Sequence, residues 1–246
     1  MGETVALRVA VIGSAGRLGA FARELLGEAA GFELVGAYDA GAPWERAVAN
    51  DGAQVALEAT RAGLGAAHGL ALLAAGVRPV IATSGVTLEQ QRQLDGRARE
   101  LGLGGLVVPN LSLGALLLER ACRLIAPHLP AIEILEEHHQ RKVDAPSGTA
   151  LELARAIGES GSADPAAIAI RSQRLPDRYA HHQVAFGGPG ERLTLRHDME
   201  GPAAFAPGIL ACLRYAAAAR GVARGLAAAL DPGAEAPDDR ASPECR

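Results

Sequence analysis

The stretch Gly13-Ser14-Ala15-Gly16-Arg17-Leu18-Gly19 follows an apolar run from Val5 to Ile12. That run predicts a buried β-strand, and the amphipathic residues from about Arg17 to Glu28 predict a helix. A second apolar run, Phe32 to Tyr38, predicts another strand and ends in Asp39. Strand, glycine turn, helix, strand and terminal acid together form the first unit of a dinucleotide-binding fold.

The glycines of this stretch have separate roles in such a fold. Gly13 permits the tight turn, Gly16 lets a pyrophosphate approach the helix start, and Gly19 lets the helix pack closely on the strand. The spacing is G-x-x-G-x-x-G rather than the commoner G-x-G-x-x-G, so the prediction depends on the strand–turn–helix context. We therefore expect the whole stretch to bind a dinucleotide: Gly13, Ser14, Ala15, Gly16, Arg17, Leu18 and Gly19.

The acid at the end of the second strand bears on which dinucleotide binds. Asp39 lies twenty residues after Gly19, where a carboxylate can accept hydrogen bonds from the adenosine ribose hydroxyls. The same carboxylate would repel a 2′-phosphate, which favours NADH. Arg17 or Arg46 could reach such a phosphate, so the sequence leaves NADPH open.

Alternating strands and helices continue beyond this unit and predict a parallel sheet. Strands are predicted at 54–59, 78–82 and 105–108, with helices at 64–75 and 88–101. Ligands bind at the carboxyl ends of such strands, where small hydroxyl and amide side chains suit a ribose and a carboxamide. Each of these residues could instead be a turn or helix-cap residue. The cofactor-binding candidates are Thr60, Ala82, Thr83, Ser84, Pro109, Asn110 and Ser112.

The second half of the chain has a different pattern. Helices are predicted at 113–126 and 150–157, and extended runs at 131–138, 167–174, 179–186 and 192–197. The expected fold class is α/β, a Rossmann-type parallel sheet domain plus a second α+β domain with a mixed or antiparallel sheet. The expected boundaries are a dinucleotide-binding domain at 1–110, completed by one helix at 205–230, a substrate-binding and oligomerisation domain at 111–204, and a flexible tail at 231–246.

The chain's only lysine lies in the segment from Glu136 to Thr149. An apolar strand there ends in His138 and His139, which the two-residue period of a strand places on opposite faces. Lys142 follows, and then a helix start for which either Ser147 or Thr149 can be the N-cap. An imidazole, an ammonium and an anion-binding helix start predict a site where an acidic small molecule undergoes proton transfer.

Composition argues against several other classes of protein. The formal net charge is −4 and aromatic residues are 3%, which disfavours a nucleic-acid or anionic-membrane partner. The apolar runs fall short of the ~20 residues that a membrane span needs. Cys122, Cys212 and Cys245 lack metal-ligand spacing, so we expect no metal, and reduced thiols in a cytoplasm.

The chain resembles the 4-hydroxy-tetrahydrodipicolinate reductase family, also called dihydrodipicolinate reductase, over roughly residues 7 to 230. The most specific match is Glu136-x-His138-His139-x-x-Lys142-x-Asp144-x-Pro146-Ser147-Gly148-Thr149. Supporting matches are the glycine turn, Thr83-Ser84-Gly85 and Pro109-Asn110-x-Ser112-x-Gly114. Residues 174–182 and 200–202 depart from the family pattern.

The resemblance implies hydride transfer from NADH or NADPH to C4 of a cyclic unsaturated dicarboxylate in lysine and diaminopimelate biosynthesis. It implies that His138 is the proton donor, that Lys142 holds the transition state and a carboxylate, and that His139, Gly148 and Thr149 bind carboxylates. The helix start at Ser147 could provide a further anion site. The resemblance also implies a homotetramer that is joined through the sheet of the second domain.

Two other functions remain consistent with the sequence. One is a reductase of a different imine or unsaturated acid, with the altered loops changing the substrate. The other is a catalytically impaired nucleotide-binding protein that senses rather than turns over its ligand. Retention of His138, His139 and Lys142 together speaks against the second.

Overall fold

The computed structural model describes residues 5–39, 41, 43–160 and 164–231, which fall into two compact units. The first unit runs to Leu111 and resumes at Phe205, and the second runs from Ser112 to Ala204. The predicted flexible tail, with Cys245, lies outside the described residues apart from Asp231.

The elements of both units follow in chain order. The strands are β1 (Leu7–Ile12), β2 (Phe32–Tyr38), β3 (Val55–Glu58), β4 (Arg78–Ile81), β5 (Gly104–Val107), β6 (Ala131–His139), β7 (Ala169–Leu175), β8 (Ala180–Gly188), β9 (Glu191–Met199) and β10 (Gly221–Arg224). The helices are α1 (Arg17–Glu28), α2 (Trp44–Asn50), α3 (Gly65–Ala74), α4 (Leu88–Glu100), α5 (Leu113–Ile125), α6 (Gly148–Glu159), α7 (Ala206–Ala218) and α8 (Ala227–Leu230).

The first unit is built on a parallel sheet with the strand order β10-β5-β4-β3-β1-β2. Its central strands read as continuous apolar runs because both faces are covered, and Val9, Leu57 and Val80 are fully buried. The chain leaves β1 towards β2 on one side and returns to β3 on the other. This reversal opens the crevice where sheets of this type bind ligands, at the carboxyl ends of β1 and β3.

The prediction of one helix over 205–230 is wrong. The segment forms α7, then the strand β10, then the short helix α8. The apolar alanine-rich pattern runs on, but α7 ends where Ala219 becomes extended. Gly221 and Gly225, with φ values of +82° and +85°, then frame the strand β10. The amide of Val222 donates to a side-chain oxygen of Asp95 at 2.7 Å, so β10 is held against α4 as well as paired with β5.

The second unit has a four-stranded mixed sheet with the order β7-β6-β8-β9. β6 is parallel to β7 and antiparallel to β8, and β8 is antiparallel to β9. One face packs against α5 and α6 through a core that includes Ile134, Ile157 and Val184. The expected fold class is confirmed, because a helix-covered parallel sheet and a mixed sheet are both present.

Within the described part of the chain, no helix has the length and apolar character that crossing a membrane requires.

Candidate active site

The glycine turn after β1 has the geometry of a phosphate cradle. Gly13 has a φ of +86°, and a Cβ there would lie 2.7 Å from the carbonyl oxygen of Ala59, so only glycine fits. Gly16 is the N-cap of α1 and provides no side-chain cap, which leaves first-turn N–H groups for a ligand. A turn of this shape fits the pyrophosphate of a nicotinamide dinucleotide.

Asp39 lies directly after β2 and is exposed. Its Oδ1 accepts hydrogen bonds from the Ser14 hydroxyl and the Ala15 N–H, both at 3.0 Å. The carboxylate is therefore anchored to the glycine turn. This holds an acidic group beside the start of α1, at the end of β2.

A buried acid that sequence reasoning missed lies at the end of β3. Glu58 is fully buried and accepts hydrogen bonds from the hydroxyls of Thr60 and Thr83, the latter at 2.6 Å. His68 Nδ1 lies 3.1 Å from the same carboxylate, and its ring packs edge-on against Trp44. The sequence feature that could have indicated this acid is its position at the end of the apolar run Val55 to Glu58, two residues before a threonine.

This arrangement limits what the two threonines can do for a ligand. Both hydroxyl hydrogens point at Glu58, so the Thr60 and Thr83 oxygens are left with lone pairs only. Lone pairs suit donors such as ribose hydroxyls or a carboxamide N–H group.

The remaining predicted cofactor residues of the first unit follow β4 and β5. Ala82 is half-buried and Ser84 is exposed after β4, and Pro109 and Asn110 follow β5. Ser112 begins the second unit, where its hydroxyl caps α5 by accepting from the Ala115 N–H at 3.2 Å. Ser112 is therefore a helix cap, which is the alternative that the sequence left open beside cofactor binding.

The second unit brings the central segment together around Glu136. Glu136 is fully buried on β6, and its carboxylate accepts two hydrogen bonds from Arg174, at 2.9 and 3.0 Å. It also accepts the Ser147 N–H at 3.2 Å and contacts Nδ1 of His138. Arg174, which sequence reasoning did not select, also donates to the carbonyl of Asp144 at 2.6 Å.

The start of α6 lies over the same end of the sheet. Ser147 is its N-cap, accepting from the Ala150 N–H, so Ser147 is the correct choice of the two predicted caps. Its hydroxyl also lies 3.2 Å from Nε2 of the buried His182. The His182 ring in turn packs edge-on against His138, with centroids 5.3 Å apart.

The other predicted substrate residues lie at the end of β6, in the loop that follows it and in the first turn of α6. Lys142 is half-buried, and its ammonium donates hydrogen bonds of 2.9 and 2.8 Å to the two carboxylate oxygens of Asp144. His139 ends β6, and its buried Nδ1 has no partner within the described residues. Gly148 and Thr149 form the first turn of α6, where helix N–H groups lack intrahelical acceptors.

Burial and neighbouring charges shift the acid–base properties of this cluster. Burial alone would raise the pKa of Glu136, but hydrogen bonds from Arg174 and other donors lower it to about 2. Burial lowers the pKa of His138, the Glu136 carboxylate opposes this, and the Lys142 charge adds to the lowering. Burial also lowers the pKa of His182 to about 4. His182 is therefore neutral at pH 7.

The neutral state of His182 predicts acid sensitivity of folding. Its pKa is about 4 in the fold and ~6.5 when unfolded, so the unfolded chain binds the extra proton between these values. Stability should fall as pH drops from ~6.5 to ~4, by at most about 3 kcal/mol from this group. The free energy of unfolding, measured with urea at several pH values, should depend less on pH in His182→Gln than in the unaltered protein. His128→Gln, which changes an exposed histidine, should show the same pH dependence as the unaltered protein. Equal slopes in all three proteins would contradict this assignment.

The opposite sheet face carries a cluster with metal-like spacing. Ligand atoms of Glu137, His181 and Asp198 lie within 4.8 Å of one another. Arg196, however, donates to Glu137 and, at 2.8 and 3.0 Å, to Asp198. A guanidinium already compensates both carboxylates, so we interpret the group as an ion-pair network.

Comparisons with known proteins agree across both units. Residues 7–111 match the family described as dihydrodipicolinate reductase, N-terminus, and residues 113–230 match dihydrodipicolinate reductase, C-terminus. A protein of Beutenbergia cavernae named 4-hydroxy-tetrahydrodipicolinate reductase is 38% identical, covering 92% of this chain and 99% of its own. One of the same name from Halalkalibacterium halodurans is 34% identical, covering 82% and 91%.

A solved structure supports the same relationship. Dipicolinate-bound dihydrodipicolinate reductase from a Paenisporosarcina species superposes with a TM-score of 0.80 and 30% identity, covering 90% of this chain and 98% of that one. The resemblance inferred from the central segment is thereby confirmed. With both halves matched and relatives above 30% identity, the chain belongs to the dihydrodipicolinate reductase family.

Proposed function

We propose that this chain reduces 4-hydroxy-tetrahydrodipicolinate to tetrahydrodipicolinate, with His138 as proton donor and Lys142 as the cation that holds a substrate carboxylate. The observation that carries this assignment is the connected cluster of the second unit. Hydrogen bonds link His138 through Glu136 to the start of α6, and through Arg174 to the loop that carries Lys142. An acid, a cation and an anion-binding helix start are thus held in one network.

The chemistry requires each of these parts. Loss of the 4-hydroxyl as water leaves a conjugated imine, and a bound reduced nicotinamide would supply a hydride to C4 of that unsaturated ring. The electron density that results on the neighbouring carbon is relieved by a proton from His138. Two carboxylates need two separate positive sites, which Lys142 and the N–H groups of Gly148 and Thr149 provide. We assign His139 to the same substrate.

The substrate class has support from a relative. The Paenisporosarcina protein was solved with dipicolinate, a cyclic dicarboxylate. The reaction can be followed by the loss of reduced-nicotinamide absorbance near ~340 nm, with enzymatically generated substrate. Turnover of that substrate supports the assignment. Turnover confined to another imine or unsaturated acid would favour the alternative reductase, and absence of any turnover would favour the nucleotide-binding homologue.

We further propose that NADH is the preferred cofactor, because Asp39 holds a negative charge beside the glycine turn. Its Oδ2 has no hydrogen bond within the described residues and can accept from a ribose hydroxyl. We expect Thr60 and Thr83, whose oxygens present lone pairs, to contact the nicotinamide end, together with Ala82, Ser84, Pro109 and Asn110.

Asp39→Ala should raise the Kd of NADH by about 10- to 100-fold, because hydrogen bonds to a charged group contribute about 1.5–3 kcal/mol. The Kd of NADPH should rise less, since the variant also removes repulsion between the carboxylate and the 2′-phosphate. Fluorescence titration with each cofactor measures both. Glu24→Gln, an exposed acid on α1, is the matched control and should change neither. Unchanged NADH affinity in Asp39→Ala would contradict the ribose contact.

We also propose a homotetramer that assembles through the sheet face of Glu137 and His181. α5 and α6 cover the other face, whereas this one presents the ion-pair network with Arg196. Sedimentation at micromolar concentration tests this, and a monomer there would contradict it.

A further inference from the structure

We propose that Glu136, anchored by Arg174, is a positioning residue that keeps a proton on Nδ1 of His138 and leaves Nε2 as the atom that delivers a proton to the substrate. The inference deepens the proposed function and rests on His138 being the proton donor. It assigns roles to two residues that need not touch the substrate.

The argument starts from the protonation state of Glu136. Its pKa of about 2 means that the carboxylate is ionised at pH 7, and an ionised carboxylate can only accept hydrogen bonds. The ring nitrogen that it contacts is Nδ1 of His138. That nitrogen must therefore carry the hydrogen. In neutral His138 the other nitrogen, Nε2, is then the basic atom, and in the imidazolium it holds the proton that can leave.

Arg174 fixes the carboxylate from the other side. Its two terminal nitrogens each bond one oxygen of Glu136, at 3.0 and 2.9 Å, which is the fork geometry that lysine cannot reproduce. The Ser147 N–H supplies a third donor. These donors, a further hydrogen bond from Ser172 and full burial restrain the orientation of the Glu136 carboxylate and of the imidazole bonded to it. Arg174 also compensates the buried charge of Glu136.

Removing the carboxylate should change the acidity of His138 in a defined direction. The charged or titratable groups around the ring are Glu136 on β6, Arg174 on β7, His182 on β8 and Lys142 with its partner Asp144 in the following loop. Glu136 stabilises the imidazolium, whereas burial and the cations disfavour it. Glu136→Gln removes the anion that contacts the imidazolium and leaves the Arg174 charge next to it, while Lys142 stays paired with Asp144. His138 should then lose its proton at lower pH.

Two measurements on the purified full-length protein follow this change. Deuterium exchange at the imidazole C2 position, read by mass spectrometry of the His138 peptide, gives the pKa of that ring without any turnover. The pH profile of kcat/KM gives the pKa of the same group in the free enzyme, because activity falls as pH rises and the donor loses its proton. Glu136→Gln should move both transitions down by about one pH unit or more and lower kcat about 10- to 100-fold.

The neighbouring acid supplies a matched control. Glu137 is also buried on β6 and also paired with an arginine, Arg196, but it faces the other side of the sheet. Glu137→Gln should leave the His138 transition in place. Glu136→Asp keeps the charge, so it should move the His138 transition less than Glu136→Gln does. If Glu136→Gln fails to fold because Arg174 is left unpaired, the double variant Glu136→Gln/Arg174→Gln removes both charges. Glu136 affects the His138 pKa more than Arg174 does, so the transition should still move down in the double variant, by less than in Glu136→Gln.

The outcomes separate this inference from the proposed function. A His138 transition that stays in place in Glu136→Gln or in the double variant, or that moves equally in Glu137→Gln, overturns the positioning role even if reduction is normal. If the unaltered protein does not reduce the dicarboxylate but C2 exchange shows the shift only in the Glu136 variants, the proposed function fails and the Glu136–His138 coupling stands.

Discussion

Lys142→Ala and His138→Gln are each expected to lower kcat by about 10²- to 10⁴-fold while leaving the Kd of NADH nearly unchanged. Alanine removes the ammonium that we propose to hold a substrate carboxylate as negative charge moves through the ring. Glutamine fills similar space but cannot deliver a proton. Both residues lie in the second unit, whereas the glycine turn and Asp39 lie in the first, so nucleotide affinity should survive.

Steady-state kinetics with the dicarboxylate, combined with NADH fluorescence titration, measures the two effects separately. Arg141→Ala is the control, since it removes an exposed cation one residue before Lys142. Near-normal kcat in Lys142→Ala and His138→Gln would contradict both assigned roles. Lys142→Arg is informative as well: its planar fork needs more room than an ammonium, so we expect only partial recovery.

Gly19→Ala is expected to lower NADH affinity by at least about tenfold and to destabilise the fold by about 1–3 kcal/mol. A Cβ on Gly19 would lie 2.1 Å from the carbonyl oxygen of Gly13 and 3.0 Å from Cα of Ser14. Both are backbone atoms, so the turn itself must move. That turn holds the N–H groups and the Asp39 contact on which nucleotide binding depends.

Gly27→Ala is the matched control in the same helix. A Cβ there meets nothing within 4 Å, so alanine should stabilise α1 by about 0.5–1 kcal/mol through its lower conformational entropy cost. Urea unfolding should show that Gly19→Ala lowers stability and Gly27→Ala raises it. NADH titration should show a loss of affinity in Gly19→Ala alone. An affinity loss of the same size in Gly27→Ala would contradict the steric argument.

Local patterns predicted most of the first unit. The helix expected from Arg17 to Glu28 has those bounds, because a glycine turn and an amphipathic period are properties of neighbouring residues. The prediction of a single helix over 205–230 was wrong because contacts distant in the sequence decide the structure of that segment. Its apolar composition fits a helix, but pairing with β5 and the positive φ values of Gly221 and Gly225 are decided by the surrounding sheet.

The two buried acids, Glu136 and Glu58, show which side-chain positions local sequence patterns could predict and which they could not. Glu136 lies two residues before His138 on β6, so the two-residue period of a strand puts both on one face, where they contact each other. Glu58, which binds Thr60 and Thr83, went unnoticed, because an acid at a strand end is exposed in most proteins and its burial depends on packing.

By itself the sequence determined the nucleotide turn, the alternation of strands and helices and the segment that carries His138 and Lys142, because these depend on residues close together in the chain. Only the tertiary structure decided that Arg174, 38 residues from Glu136, completes the carboxylate's hydrogen bonds. That contact depends on the register between β6 and β7, which pairs His138 with Arg174. Strand register arises from packing of the whole unit, and no local pattern encodes it.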